Sequence, residues 1–153
     1  ACGCFWGAQY QFEHAKGVVR STVRYIGGHK EHPAYEEVKA HTTGHAEATL
    51  VEFDAEQTSF TELCKLFFEI HDPAQTDGQG PDIGPQYRSE IFYLNDKQKE
   101  EAEAVIALLK EKGYEVNTKL TSATTFWEGE EYHQHYYDKT GGEPYCHILI
   151  KKF

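Results

Sequence analysis

The sequence has 153 residues, 39% of them hydrophobic, and a formal net charge of −10, which is typical of one globular domain with its own core. No apolar run approaches the roughly 18 residues of a membrane-spanning helix, and the mean hydropathy is −0.66. The 25 acidic residues outnumber the 15 basic ones, so a nucleic-acid partner is not expected. We expect one domain over residues 1–153, cut from a longer chain because it begins with Ala1 rather than methionine.

The first pattern is Gly3-Cys4-Phe5-Trp6-Gly7, a cysteine between two glycines and beside two large aromatic residues. The residues that follow have helical periodicity up to Gly17, which predicts that Cys4 lies at a helix N-terminus. The partial positive charge there favours the thiolate, so Cys4 is a candidate nucleophile. The alternative is a buried structural cysteine. The glycines and the position at the helix start favour the nucleophile.

The next elements are a predicted strand over Val18–Tyr25, a short helix from Pro33 to about Ala40 and a strand over Ala46–Phe53. The two-residue period of the last strand places Glu47 on one face with apolar residues. Burial of that face would raise the pKa of Glu47, so Glu47 is a candidate general acid. The alternative is a glutamate at a strand end that is turned to solvent.

Ser59 is predicted to cap a helix that reaches about His71, with Cys64 in its apolar stripe. We interpret Cys64 as a core thiol without chemistry. The segment from Asp72 to Arg88 has no periodicity and is long for a connector. Its hydrogen-bonding residues could line a site, with a solvated loop as the alternative; they are Asp82, Gln86 and Tyr87.

Later predicted elements are a strand over Ile91–Leu94, a helix over Asp96–Lys112 capped by Asn95, and strands over Val116–Leu120 and His147–Ile150. Strands that alternate with helices predict an α/β or α+β fold, a two-layer sandwich.

An aromatic segment near the C-terminus contains His133 and His135. Two histidines at this spacing project differently from a helix, and no third ligand has a recognisable zinc spacing, so the sequence does not favour a metal site. Cys146 follows Gly141-Gly142 close to the chain end, where a thiol has the mobility that a resolving cysteine requires.

Six segments stand in a fixed order along the chain: Gly3-Cys4-Phe5-Trp6-Gly7, Tyr25-Ile26-Gly27-Gly28, Thr43-Gly44-His45-Ala46-Glu47, His71-Asp72-Pro73-Ala74-Gln75, Gln86-Tyr87-Arg88-Ser89 and Tyr132-His133-Gln134. Together they resemble the peptide methionine sulfoxide reductases of the A type.

The resemblance implies a single catalytic domain with a two-layer α/β sandwich, a ferredoxin-like core with additional helices and long loops. It assigns Cys4 as the nucleophile, Glu47 as the acid that protonates the sulfoxide oxygen, and Cys146 as the resolving cysteine. It also implies a substrate site in which Phe5 and Trp6 enclose the S-methyl group, Tyr25 and Tyr87 bind the oxygen, and Asp82 lies in the same polar wall.

The implied reaction reduces methionine S-sulfoxide, free or in oxidised proteins, and so repairs proteins under oxidative stress. The Cys4 sulfenic acid condenses with Cys146 to a disulfide, which thioredoxin reduces without a bound cofactor or metal. We expect a monomer without a membrane or nucleic-acid partner. The expected location is cytoplasmic, with secreted, periplasmic or fused forms as alternatives.

The chain departs from the family pattern at Cys2, where the family usually has glycine, and at Gln9, close to where it often has glutamate. Cys2 could compete as the resolving cysteine, but a disulfide to Cys4 would close a small, strained ring. Two other functions stay open, a silent module that recognises oxidised methionine and a metal-binding module. The second would use Cys2, Cys4, Cys146, His133, His135 and His147.

Overall fold

The computed structural model describes residues 1–142, 147 and 149–153. In chain order the elements are α1 (Phe5–Glu13), β1 (Val18–Ile26), α2 (Tyr35–Lys39), β2 (Ala46–Phe53), α3 (Phe60–Glu69), β3 (Gly78–Gln79), β4 (Asp82–Ile83), β5 (Glu90–Tyr93), α4 (Asp96–Glu111), β6 (Lys119–Ser122), β7 (Trp127–Glu128) and α5 (Tyr136–Thr140). Short 3₁₀ turns cover Pro85–Tyr87 and Glu131–His133. None of the helices in these ranges is both long and apolar enough to span a bilayer.

The strands form small sheets, which confirms the α/β class. β1 is the central strand of the largest sheet and pairs antiparallel with β2 on one edge and β7 on the other. Tyr25 on β1 lies opposite Glu47 on β2. β3 and β4 form an antiparallel hairpin within the predicted loop, and β5 pairs in parallel with β6.

Helices α3 and α4 begin directly after the predicted capping residues. Ser59 accepts a hydrogen bond from the backbone N–H of Glu62 at 3.1 Å, and Asn95 accepts one from the N–H of Gln98 at 2.9 Å. Each side chain satisfies an amide that has no partner within its own helix. The two predicted caps are therefore confirmed.

Helix α1 is anchored in two hydrophobic clusters. Its Phe12 packs in the larger cluster with α3, α4 and β5, where Phe68 and Leu109 are fully buried. Phe5, at its first turn, belongs to the smaller cluster with Val23 and Tyr25 of β1. Because both ends of the helix are held in this way, the position of Cys4 immediately before Phe5 is well defined.

Two strand predictions are wrong at described positions. Of the strand predicted over His147–Ile150, Ile148 lies outside the described residues, and His147, Leu149 and Ile150 are not in a strand. The N–H of Ile150 instead donates to the carbonyl of Glu69 at 2.8 Å, at the C-terminal end of α3. The tail thus satisfies helix carbonyls instead of a sheet edge. The strand predicted over Val116–Leu120 begins later, at Lys119, where its parallel pairing with Glu90 starts.

Candidate active site

Cys4 is the N-cap residue of α1 and is 6% exposed. Its carbonyl accepts a hydrogen bond from the N–H of Ala8 at 3.3 Å, which begins the helix. Gly3 precedes it with a left-handed φ of +99°, and a Cβ there would lie 2.8 Å from the Cβ of Gln79. Only glycine fits this backbone next to the sulfur, so the local sequence places the thiol at the helix N-terminus.

The carboxyl group of Glu47 meets the same helix end from β2. Glu47 is 1% exposed, and its Oε1 accepts a hydrogen bond from the backbone N–H of Phe5 at 3.2 Å. Its Oε2 is buried and has no hydrogen-bond partner among the described residues. Of the two alternatives that the sequence leaves open, Glu47 is therefore buried and not turned to solvent, with one oxygen anchored and the other available to a ligand.

Burial, followed by the nearby charge of Cys4, raises the pKa of Glu47 well above 4.5. Asp82 also raises this pKa, and the hydrogen bond from the Phe5 amide opposes the shift. A carboxylate and a thiolate in one dry pocket repel each other, so ionisation of both groups at once is disfavoured. A thiol and a carboxyl group held together in this way can supply a nucleophile and a proton donor.

Two phenols share the electrostatic environment of Cys4 and Glu47. Burial, and next the charges of Glu47, Asp82 and Cys4, raises the pKa of Tyr87 to about 12. Burial, and next the charges of Glu47, Tyr87 and Cys4, raises the pKa of Tyr35. Both hydroxyls therefore stay protonated at neutral pH and can donate hydrogen bonds to an oxygen bound beside Glu47.

The structure gives Tyr25 a different partner. Tyr25 is fully buried, and its hydroxyl donates to Oε1 of Glu130 at 2.9 Å. The other carboxylate oxygen of Glu130 accepts a hydrogen bond from the backbone N–H of Tyr35 at 3.0 Å. Tyr25 thus supports the start of α2 through Glu130, and the geometry favours Tyr35 as the second phenol of the site. The only sequence signal for Tyr35 is an aromatic residue two positions after Pro33.

These contacts predict different effects for two tyrosine substitutions. Tyr35→Phe should lower kcat/KM about tenfold or more, because a hydrogen bond to developing charge contributes about 1.5–3 kcal/mol. Tyr25→Phe removes a hydrogen bond to Glu130, so it should lower Tm while leaving kcat/KM within about threefold. Steady-state kinetics and thermal melts of both variants measure this. A larger loss of kcat/KM in Tyr25→Phe than in Tyr35→Phe would instead indicate that Tyr25 binds the oxygen.

Aromatic rings form the apolar wall next to these polar groups. Trp6 stacks on Tyr136, with ring centroids 3.8 Å apart and an interplanar angle of 9°, and its Nε1 donates to Nδ1 of His133 at 2.9 Å. Phe5 is fully buried, and its ring lies 5.5 Å from that of Tyr25. The indole is therefore held from two sides and presents a rigid surface suited to a small apolar group.

His133 and His135, two residues of the alternative metal-binding hypothesis, contact different partners. His133 accepts the hydrogen bond from Trp6, whereas Nδ1 of His135 lies 2.5 Å from Oε2 of Glu13. Among the described residues, one group has ligand atoms within 4.8 Å of one another, Glu13, His135 and Asp138, and two of its three members are exposed. The His133–His135 pair thus does not form a shared site. Cys146 lies outside the described residues.

The site combines a thiol at a helix N-terminus, a buried acid with a raised pKa, two phenols and an apolar wall. The family model for peptide methionine sulfoxide reductase matches residues 1–153. The chain is 44% identical over 148 residues to an Acinetobacter baumannii (strain AYE) protein named peptide methionine sulfoxide reductase MsrA, covering 97% of this chain and 86% of that protein.

Solved structures of a yeast protein agree with this match. The reduced form of Mxr1 from Saccharomyces cerevisiae superposes with a TM-score of 0.92 at 33% identity, covering 99% of this chain and 90% of that one. Mxr1 in complex with Trx2 gives a TM-score of 0.66 at 25% identity, covering 99% and 86% of the two chains. The chain therefore belongs to the peptide methionine sulfoxide reductase family.

Proposed function

We propose that this chain reduces the S epimer of methionine sulfoxide, free or in oxidised proteins, to methionine. The observation that carries the proposal is the carboxyl group of Glu47. It is buried, it is bonded through Oε1 to the first amide of the helix that Cys4 begins, and its Oε2 is unpartnered among the described residues. A sulfoxide sulfur is a poor electrophile until its oxygen is protonated, so this pairing of thiol and acid fits the reaction.

In the first step the Cys4 thiolate attacks the sulfoxide sulfur while Glu47 donates its proton to the oxygen. Tyr35 and Tyr87 donate hydrogen bonds to that oxygen, and Trp6 packs against the methyl group. The S–S bond formed by the attack and the S–O bond of the sulfoxide then break, and the oxygen, with the proton from Glu47, becomes bonded to the Cys4 sulfur. Cys4 is thereby oxidised by two electrons to a sulfenic acid, and the sulfoxide is reduced by two electrons to methionine. The raised pKa of Glu47 and its place beside Cys4 support this sequence.

In the second step the thiol of Cys146 attacks the sulfenic sulfur. The S–S bond forms, the S–O bond breaks, and water leaves. A thioredoxin-type dithiol then reduces the disulfide, which the solved complex of the similar yeast Mxr1 with Trx2 supports. Asp82 completes the polar wall, since its charge acts on both Glu47 and Tyr87.

The resolving assignment makes a prediction for Cys146→Ser. The variant should stop turnover with thioredoxin, by about 10²-fold or more, but still form about one methionine per enzyme in a single turnover. The sulfenic acid on Cys4 then has no partner thiol. Cys2→Ser is the matched control and should keep turnover. If Cys2→Ser stops turnover and Cys146→Ser does not, Cys2 is the resolving cysteine.

We also propose a cytoplasmic monomer. Cys2 and Cys64 are buried thiols without a disulfide, which suits a reducing compartment. Burial raises the pKa of Cys64 to about 12, in keeping with an inert core thiol. The exposed large apolar side chains in the described part of the chain lie on several segments; they are Val19, Ile83, Leu94, Tyr114, Tyr132, Leu149 and Ile150. Sedimentation analysis tests the monomer.

The experiment for the proposed function uses racemic methionine sulfoxide with excess dithiothreitol. Chiral chromatography should show consumption of the S epimer and a matching yield of methionine, with the R epimer left intact. Loss of both epimers at equal rates would contradict the stereochemical assignment. No methionine from reduced protein would contradict the activity and favour a silent module that recognises oxidised methionine.

A further inference from the structure

We propose that His133 is a positioning residue, which holds the indole of Trp6 where it packs against the methyl group of the substrate. The proposal rests on the proposed function, in which Trp6 forms the apolar wall of the sulfoxide site. Its basis is a hydrogen bond between the two side chains, together with a second ring nitrogen of His133 that has no hydrogen-bond partner among the described residues. His133 is a buried titratable group to which the proposed reaction otherwise gives no part.

The hydrogen bond determines which nitrogen of His133 carries the proton. An indole N–H can only donate, and Nε1 of Trp6 lies 2.9 Å from Nδ1 of His133. Nδ1 therefore accepts, and the proton of the neutral ring is on Nε2. Burial lowers the pKa of His133, and the charge of Glu130 opposes this shift. The neutral ring that the hydrogen bond requires is thus the favoured form near neutral pH.

Packing alone does not account for an imidazole at this position. His133 is 1% exposed, and its Nε2 is buried without a hydrogen-bond partner among the described residues. A buried donor that is left unpaired destabilises the fold, whereas an apolar side chain of similar volume would fill the space without that penalty. The atom that explains a histidine here is therefore Nδ1, which accepts the hydrogen bond from Trp6.

The hydrogen bond restrains the indole in directions that ring stacking leaves free. Trp6 stacks on Tyr136 with ring centroids 3.8 Å apart and an interplanar angle of 9°. Stacking fixes the separation of two ring planes but tolerates sliding and rotation within those planes. A directional hydrogen bond at the edge of the indole limits both movements. His133 therefore fixes the in-plane position of a ring whose height Tyr136 fixes.

The imidazole also packs against the phenol that we place on the sulfoxide oxygen. Its ring centroid is 4.3 Å from that of Tyr35 and 5.5 Å from that of Trp6, and the rings of Tyr35 and Trp6 are 6.5 Å apart. Because Trp6 contacts the methyl group and Tyr35 the oxygen in the proposed reaction, the spacing of these two rings must match the substrate. His133 contacts both rings and so helps to set that spacing.

The main chain on which His133 lies is tied to β1 and α1. The side chain of Gln134 accepts a hydrogen bond from the N–H of Val23 at 2.9 Å and donates one to the carbonyl of Val23 at 3.1 Å. The backbone N–H of His135 donates to Oε1 of Gln9 at 2.6 Å. Because these bonds hold the two residues after His133, the imidazole contacts Trp6 from a fixed support.

The test uses single turnovers of reduced enzyme over a range of methionine S-sulfoxide concentrations. The wall contacts the methyl group in the ground state and in the transition state alike, so its loss should weaken binding more than it slows the chemical step. His133→Leu should raise the half-saturating concentration about tenfold and keep the limiting rate within about twofold. Glu47→Gln should instead lower the limiting rate.

His133→Asn is the conservative variant. The side-chain oxygen of asparagine can accept a hydrogen bond close to the position of Nδ1, so this variant should keep the half-saturating concentration within about threefold of the parent value. His14→Leu, the same substitution at an exposed histidine, should change neither quantity. Equal losses of binding in His133→Asn and His133→Leu would show that the ring only fills space, and would overturn the positioning role.

A spectroscopic measurement detects the hydrogen bond directly. The chain has two tryptophans, so in Trp127→Phe the indole bands of an ultraviolet resonance Raman spectrum come from Trp6 alone. The band that is sensitive to the indole N–H should show a hydrogen bond in Trp127→Phe, keep it when His133→Asn is added, and lose it when His133→Leu is added. A free N–H in Trp127→Phe alone would overturn the proposal, whether or not His133→Leu folds.

The series separates failure of this role from failure of the proposed function. If the reduced parent forms no methionine, the proposed reduction is overturned and the role of His133 in it is overturned as well. If the parent forms methionine and His133→Leu has the same half-saturating concentration as the parent, only the positioning role is overturned. A raised half-saturating concentration with an unchanged limiting rate, restored by His133→Asn, supports it.

Discussion

Cys4→Ser is expected to abolish methionine formation, with a loss of at least about 10⁴-fold in kcat/KM. A serine hydroxyl is not ionised near neutral pH, whereas the positive end of a helix favours the thiolate of a cysteine. Initial rates with methionine S-sulfoxide and dithiothreitol measure the effect. Cys4 is only 6% exposed, but serine is nearly isosteric with cysteine, so the variant should fold.

Cys64→Ala is the matched control for this substitution. Cys64 lies in the apolar face of α3, where burial raises the pKa of its thiol to about 12. Its loss should cost some stability through a small cavity but leave kcat/KM unchanged. An active Cys4→Ser protein would mean that another thiol is the nucleophile.

Glu47→Gln is expected to lower kcat by about 10²–10⁴-fold with a much smaller change in KM, the range typical for loss of a general acid. Glutamine is close to glutamate in size and can still accept the Phe5 amide hydrogen bond through its oxygen. It has no proton to transfer to the sulfoxide oxygen. The comparison with Glu52→Gln, an exposed position on the same strand, isolates the effect of the buried carboxyl. Equal kcat values for Glu47→Gln and Glu52→Gln would show that Glu47 is not the general acid.

Glu47 also determines whether the rate of the parent enzyme rises or falls with pH. Burial, followed by the charge of Cys4, raises the pKa of Glu47 well above 4.5, so the proton that the reaction needs is present below that raised pKa. The rate of the chemical step should therefore fall as pH rises through it. Single-turnover rates of Glu47→Gln, measured across the same pH range, should not show this decrease.

The stability of the fold should respond to Glu47 in the same pH window. The folded state holds the proton of Glu47 more tightly than the unfolded chain, so this contribution to stability is complete below about pH 4.5 and is lost as pH rises through the raised pKa. Glu47→Gln should therefore gain Tm relative to the parent at alkaline pH. Thermal melts of the two proteins at acidic and alkaline pH measure the difference.

Local sequence patterns predict most of the elements that carry the candidate site. The helical period after Cys4 predicts α1, and the alternation along Ala46–Phe53 predicts β2 with its observed ends. These patterns predict that Cys4 begins a helix and that Glu47 lies on a half-apolar strand face, since both follow from residues close in sequence. Their meeting at one helix end is a tertiary contact, which only the family resemblance anticipates.

The parts that local patterns miss depend on contacts between distant residues. Glu130 reaches the α2 amide of Tyr35, 95 positions away, and binds the hydroxyl of Tyr25 across the sheet. Neither contact leaves a spacing signal, so the choice between Tyr25 and Tyr35 depends on tertiary structure. The same holds for the tail. Its β-branched residues predict a strand, but Ile150 binds the carbonyl end of α3.

The central claim is that Cys4 takes the oxygen of methionine S-sulfoxide with Glu47 as the acid and that a second thiol then resolves it. The direct measurement is a single turnover of fully reduced enzyme on racemic methionine sulfoxide without reductant, followed by chiral analysis and thiol counting. The account predicts about one methionine per enzyme, drawn from the S epimer alone, and loss of two of the four thiols. Absence of methionine, or consumption of the R epimer, would contradict it.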